Sequence, residues 1–332
     1  MMKIIVAHKQ INLSRLIVFA SSAIVALFGT ALSVNGAEVR SANKTFADWC
    51  RQKADLSPET KHTVEVLLKR AGTTDCVEGD RKLSSWIRLD LDNNQIGDIK
   101  PLASLTNLTW LTLSYNQIGD IKPLASLTNL TVLLLDNNQI SDIKPLASLT
   151  NLSELLLHKN QISDIKPLAS LTKLTVLILD YNNQISDIKS LASLTNLTIL
   201  SLPFNQIGDI KPLASLTNLT WLLLTNNKIG DIKPLASLTN LEKLHLDNNQ
   251  IRDIKPLVSL TNLTKLDLSN NQISDIKPLV SLTKLKFLSL DNNLLNDVKP
   301  LASLTNLISL DLSRNSIAPK TCPVKPESIC RW

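Results

Sequence analysis

Two of the four histidines in this 332-residue chain stand where an imidazole could meet two carboxylates. His158 follows Asp136 by 22 residues and precedes Asp180 by 22, while His245 has Asp247 two residues on and Asp267 22 residues on. One ring nitrogen and two carboxylate oxygens brought to a point can hold a divalent metal ion or pass a proton. Beyond these clusters the chain offers an enzyme little. His8 and His62 stand apart from them, no G-x-S-x-G or H-E-x-x-H is present, and the eight glycines are too scattered to cradle a phosphate. Solvated histidines beside aspartates are commonly simple charge pairs, so we expect no catalysis, no metal and no cofactor.

Whether such residues meet depends on what the 22-residue interval means. From Trp86 onward the chain repeats one phrase eleven times, of which Leu108-Thr-Trp-Leu111-Thr-Leu113-Ser-Tyr-Asn116-Gln-Ile118-Gly-Asp120-Ile121-Lys-Pro123-Leu124-Ala-Ser-Leu127-Thr-Asn129 is one copy. Its asparagine recurs at Asn94, Asn116, Asn138, Asn160, Asn182, Asn205, Asn227, Asn249, Asn271, Asn293 and Asn315, at intervals of 22 with a single 23. The pattern L-x-x-L-x-L-x-x-N at this period is similar to the leucine-rich repeat signature. It predicts an α/β leucine-rich repeat solenoid, right-handed, with a parallel β-sheet on the concave face and short 3-10 or extended pieces on the convex side. Leu111 and Leu113 alternate as in a strand, with Trp110, Thr112 and Ser114 pointing the other way. Stacked about 4.8 Å apart, eleven such strands make a curved sheet roughly 50 Å long, and residues one interval apart become lateral neighbours. Ile118, Ile121, Leu124 and Leu127 line the opposite core wall, where Pro123 and its equivalents bar a long helix. The repeated asparagine falls where the chain turns into the core and is expected to bond main-chain groups of its own and the adjacent copy. Asp120 and Lys122 stand for outer columns of solvated, mutually neutralising charge. The fifth copy has an extra residue near Asn182 and Asn183, and Ser190 in place of the proline.

The ends of an open stack need lids. Residues 1–37 read as an export signal, with Lys3, Lys9 and Arg15 ahead of an apolar run from Leu16 to Val34 and a cut after Gly36 or Ala37. An uncleaved anchor is the alternative reading of that run. Its removal lowers the formal charge from +6 to +3, and the remaining basic residues are spread along the chain, unlike a nucleic-acid footprint. Residues 38–85 form the N-terminal cap, with a short amphipathic helix from Ser57 as N-cap and Pro58 through Val64, Leu67, Leu68 and Ala71 to Gly72. The repeats occupy 86–317, and 318–332 close the far end as a clipped loop with Pro319, Pro323 and Pro326. Cys50 and Cys76, Cys322 and Cys330 flank the array as two close pairs. In an exported chain this placement suggests two local disulfides. Composition alone allows three connectivities, and the length of the array disfavours crosswise ones.

Function must reside where the copies differ. The first outward strand column runs Arg88, Trp110, Val132, Glu154, Val176, Ile199, Trp221, Lys243, Lys265, Phe287, Ser309, and the second runs Asp90, Thr112, Leu134, Leu156, Ile178, Ser201, Leu223, His245, Asp267, Ser289, Asp311. Both pass from polar through apolar to polar. With Tyr115, Tyr181 and Phe204 from the strand exits, copies two to seven should present a continuous apolar and aromatic surface, the kind monomers seldom expose without a use. The candidate ligand-binding residues are therefore Trp110, Tyr115, Val132, Leu134, Leu156, Val176, Ile178, Tyr181, Ile199, Phe204, Trp221 and Leu223. The bland counter-reading is that these side chains merely pack along the sheet.

The run N-Q-I-x-D-I-x-P-L-x-x-L-T-N-L closely resembles the repeat of the bacterial internalins over about 70% of the chain. That resemblance implies an exported protein whose concave sheet grips a partner, usually a protein, without chemistry of its own. Up to Trp332 there is no immunoglobulin-like extension, sortase-type sorting motif or wall-binding module, and the cysteine-clipped lids differ from the family's usual cap, so surface attachment and host invasion are not carried over. We expect a secreted, periplasmic or cell-surface monomer that binds a protein or glycan ligand, without nucleic-acid binding and without membrane insertion once the signal is removed. The alternative is a structural protein that self-assembles through its near-identical convex columns. A cytosolic regulatory scaffold conflicts with the signal and the paired cysteines. N-x-T triplets such as Asn107-Leu108-Thr109 are by-products of the repeat.

Overall fold

Each copy contributes a three-residue strand, because only Leu111, its neighbours and their equivalents alternate cleanly before the chain turns inward. In the computed structural model, which describes residues 44–332, these are β1 (Arg88–Asp90), β2 (Trp110–Thr112), β3 (Val132–Leu134), β4 (Glu154–Leu156), β5 (Val176–Ile178), β6 (Ile199–Ser201), β7 (Trp221–Leu223), β8 (Lys243–His245), β9 (Lys265–Asp267), β10 (Phe287–Ser289) and β11 (Ser309–Asp311). A further strand, β12 (Cys330–Arg331), follows them, and the twelve form one sheet in sequence order, every neighbouring pair parallel. The register is the one the interval demands: Leu111 lies opposite Leu133, and Leu133 opposite Leu155. The export segment read over residues 1–37 lies outside the described residues.

On the convex side the proline dictates the geometry. Each segment equivalent to Lys122–Ser126 is one 3-10 turn with proline in its first two positions, where its missing N–H costs nothing. The preceding aspartate pairs with the lysine side chain in the first copy, where Lys100 Nζ lies 3.1 Å from Asp98 Oδ2, but its recurring partner is main chain. Asp120 Oδ1 accepts the Lys122 backbone N–H at 2.9 Å, and the same bond recurs at Asp142, Asp164, Asp187, Asp209, Asp231, Asp253, Asp275 and Asp297. The expected neutralising columns are thus chiefly turn caps. Ser190 takes the place of proline without breaking the turn, and its hydroxyl donates to the Ile165 carbonyl at 3.0 Å.

Between the two walls the core is almost wholly leucine and isoleucine, with Leu111, Leu113, Ile118, Ile121, Leu124, Leu127 and Leu130 all buried. The asparagine ladder forms as expected. Asn160 Nδ2 donates to the carbonyls of Leu135 in the previous copy and Leu157 in its own, and Oδ1 accepts the N–H of Ile140. The residue just before each asparagine has positive φ, as at Asn137 (54°) and Asn248 (57°). One rung is missing. After the extra residue of the fifth copy, Asn205 Nδ2 still donates to Leu179 and Leu202, but its buried Oδ1 accepts no hydrogen bond. The insertion therefore costs one contact between coils. A second ladder runs over the outside, where Asn129 Nδ2 donates to the Thr106 carbonyl and Ser148 Oγ to that of Ala125. The N-x-T asparagines thus tie one coil to the previous one.

The first lid is larger than the sequence suggests. Three helices, α1 (Phe46–Arg51), α2 (Pro58–Ala71) and α3 (Cys76–Ser85), pack Phe46, Val64, Leu67 and Leu83 onto the first coil. The helix α2 begins at Ser57 and ends at Gly72 with φ +64°, the left-handed cap that only glycine adopts freely. Thr63 Oγ1 donates to the Asp98 carbonyl at 2.7 Å, and His62 Nε2 lies 2.6 Å from the Asn94 carbonyl oxygen. The disulfides are local, Cys50 with Cys76 and Cys322 with Cys330. The second one clips more than a loop, since it anchors β12 against β11 and extends the eleven expected strands by one. Among the described residues no helix is long and apolar enough to cross a membrane.

Candidate binding surface

The strand period places the first and second columns on the outer face of the sheet, and the register lays each residue beside its equivalent in the next copy. The arrangement is denser than the sequence implies. Trp110, Leu134, Leu156, Val176, Ile178, Ile199, Trp221 and Leu223 are half-buried by one another, Val132 is buried at 6% exposure, and Tyr115 stands out at 63%. Side chains about 4.8 Å apart in register must lean together, so they show water an edge or a face and seldom a whole side chain. Thr112 and Ser201 are buried among them.

The aromatic residues are held in place. The Arg88 guanidinium lies 4.2 Å from the Trp110 ring centre, and the Lys243 ammonium 3.6 Å from that of Trp221. Each tryptophan is thus flanked by a cation from the adjacent copy, an attraction worth about 0.5–1 kcal/mol at an exposed site. Both cations are already neighbours of the tryptophans in the first column, where a basic residue one interval from an aromatic is the legible signal. At the strand exits Tyr181 and Phe204 stack at 4.0 Å, with His158 edge-on to Tyr181 at 5.3 Å. Tyr115, Tyr181 and Phe204 occupy the positive-φ position, at 58°, 55° and 56°, where most copies place asparagine. Bulky side chains adopt that conformation reluctantly.

Carboxylates interrupt this strip. Burial pushes Glu154, between Val132 and Val176, above the usual carboxylate range. Asp136 is pushed up to about 6, by burial first and then by the charges of Asp180 and Asp92, although it accepts the His158 backbone N–H at 2.8 Å. His158 Nδ1 lies 3.9 Å from Asp180 Oδ2, so the expected charge pair is present on one side, while Asp136 is engaged by main chain on the other. The second histidine differs. His245, Asp247 and Asp267 each direct one ligand-type atom into a region where all three lie within 4.8 Å of one another.

The family model described as Leucine Rich repeats (2 copies) matches residues 87–126, 106–148, 150–193, 172–215, 195–237, 217–259 and 261–303. No curated protein matches the chain. Among solved structures, an internalin (inlF) from Listeria monocytogenes is 38% identical, with TM-score 0.73, covering 77% of this chain and 75% of that one. The functional domain of InlJ from the same organism, which includes a cysteine ladder, is 24% identical with TM-score 0.63, covering 82% of this chain and 61% of that one. The Arabidopsis receptor kinase HAESA, in complex with the peptide hormone IDA and the co-receptor SERK1, is 28% identical with TM-score 0.64, covering 71% of this chain and 43% of that one. With its repeats matched from residue 87 to 303 and an internalin aligned over three quarters of its own length, the chain belongs to the internalin-like leucine-rich repeat proteins.

Proposed function

We propose that this chain is an exported, non-enzymatic binding protein that grips a protein ligand through the apolar and aromatic strip of β2 to β7. The observation that carries the reading is the pair of tryptophans, each braced by a cation from an adjacent copy and each half-exposed on the sheet. Tryptophan dominates binding energy in many interfaces, and an anchor already held in one rotamer loses little entropy on association. Trp110 and Trp221 lie at the two ends of the strip, in β2 and β7, with Val132, Leu134, Leu156, Val176, Ile178, Ile199 and Leu223 between them. Tyr115, Tyr181 and Phe204 border it, in a backbone conformation that costs aromatic residues free energy and that an asparagine would adopt more easily. Export is supported by the two disulfides and by the basic, then apolar, N-terminal sequence. A protein ligand is supported by the family, whose repeats serve as protein-binding scaffolds, and by HAESA, whose structure holds a peptide hormone.

Affinity capture from a mixture of extracellular proteins, run with the chain and with W110A/W221A side by side, tests this. A partner retained by the parent should be lost at least tenfold by the double variant, whose melting temperature falls by no more than a few degrees. Equal capture by both would overturn the reading. Sedimentation that depends on concentration without any partner would favour self-assembly instead.

A further inference from the structure

His245 and Asp267 are direct register partners on β8 and β9, and Asp247 leaves the same strand end two residues after His245. Three donors from two adjacent coils are therefore held by the sheet itself. A simple charge pair would bring His245 within ion-pairing distance of a carboxylate, as His158 is with Asp180, yet among the described residues no ion pair joins His245, Asp247 or Asp267. One ligand atom from each of the three instead lies within 4.8 Å of the other two.

We propose that His245, Asp247 and Asp267 form a binding site for a divalent transition-metal ion, with Zn2+ the best match to one imidazole nitrogen and two carboxylate oxygens.

The surroundings suit that donor set. Burial, then the charge of Lys265, pushes the imidazole below its ordinary pKa. Burial, then repulsion from Asp247, pushes the Asp267 carboxyl up. Each carboxylate is oriented from behind. Thr225 Oγ1 donates to Asp247 Oδ1 at 2.7 Å and Asn248 Nδ2 to Asp247 Oδ2 at 2.9 Å, while Ser269 donates to Asp267 Oδ1 from both its hydroxyl and its backbone N–H. Such outer bonds are what hold metal ligands in position. Two lysines flank the cluster: Lys243 lies over the Trp221 ring, and among the described residues no ion pair joins Lys243 or Lys265 to these aspartates. Zinc with bonds of about 2.1 Å places tetrahedral ligands about 3.4 Å apart, and the three ligand atoms here lie within 4.8 Å of one another. An imidazole disfavours Ca2+ and Mg2+, which prefer an all-oxygen shell. Because the protein supplies three ligands, a fourth position stays open to water or to a group from a partner on the sheet.

The test is calorimetric titration of the untagged full chain with ZnCl2 at neutral pH, with Co2+ absorption as a second readout. We expect one ion per chain at a dissociation constant of tens of micromolar or tighter, weakened at least tenfold in H245A and in D267N, unchanged in H158A, and no comparable binding of Ca2+. Circular dichroism melts confirm that the variants fold. No saturable Zn2+ binding, binding that survives H245A, loss in H158A, or Ca2+ bound as tightly would each overturn the assignment.

Discussion

At Asp136 one carboxylate carries much of the local electrostatics of the sheet exit. Its pKa of about 6 lies above the ordinary 3.8, so the folded chain holds this proton more tightly than the unfolded one. The fold accordingly loses on the order of 2–3 kcal/mol as pH rises from about 4 through 6. Asp92 and Asp267 are displaced the same way, mainly by burial, and add to the trend. Asp136→Asn keeps an oxygen to accept the His158 N–H while removing the charge. We expect it to stabilise the fold by about 2 kcal/mol near pH 7.5, with the gain vanishing toward pH 4. Urea melts of parent and variant at both pH values measure this, and a gain that grows on acidification would contradict it. The asparagine ladder one residue pair further along shows the other use of buried polarity. There the buried side-chain groups are hydrogen-bonded except Asn205 Oδ1, next to the inserted residue.

The lids are the elements where covalent chemistry replaces core size. The 26-residue separation between Cys50 and Cys76 spans most of the three-helix cap, while that between Cys322 and Cys330 is 8. Loop-closure entropy makes the longer link worth about 3–4 kcal/mol and the shorter about 2–3. Replacing Cys50 and Cys76 by serine should therefore loosen α1 and α3 before the repeats, because α2 keeps its own ties to the first coil through Thr63 and His62. Hydrogen exchange resolved along the chain is the measurement. Faster exchange in residues 46–56 and 73–85, with the strands still protected, is the expected result; uniform loss across the strands would show that the lid and stack open as one unit.

Across the whole molecule stability is a sum of coil-to-coil interfaces. Leu200 is fully buried in β6, with Leu177 on one side and Leu222 on the other. Leu200→Ala should cost about 2–5 kcal/mol, as for other buried leucines. The site lies beside the missing ladder rung at Asn205, so this is where the stack is easiest to divide. Two separate urea transitions in the variant, against one in the parent, are the expected outcome; a single shifted transition would mean that the coils remain cooperative across the break.

The sequence alone determined the solenoid, the parallel register, the buried leucine walls and the asparagine ladder through the repeat period, and the boundaries of α2 through its capping residues, because each follows from local spacing and capping. The same spacing placed Arg88 beside Trp110 and Lys243 beside Trp221 in one column. Only the tertiary structure decided that these cations cover the tryptophans, that Val132 is buried while Tyr115 is not, and that the convex aspartates chiefly cap turns. It also separated two histidines that look alike in sequence. His158 pairs with one aspartate, whereas a ligand atom of His245 lies within 4.8 Å of one from each of two. Register dictates which residues are neighbours, but side-chain direction, burial and competing hydrogen bonds choose what the neighbours do.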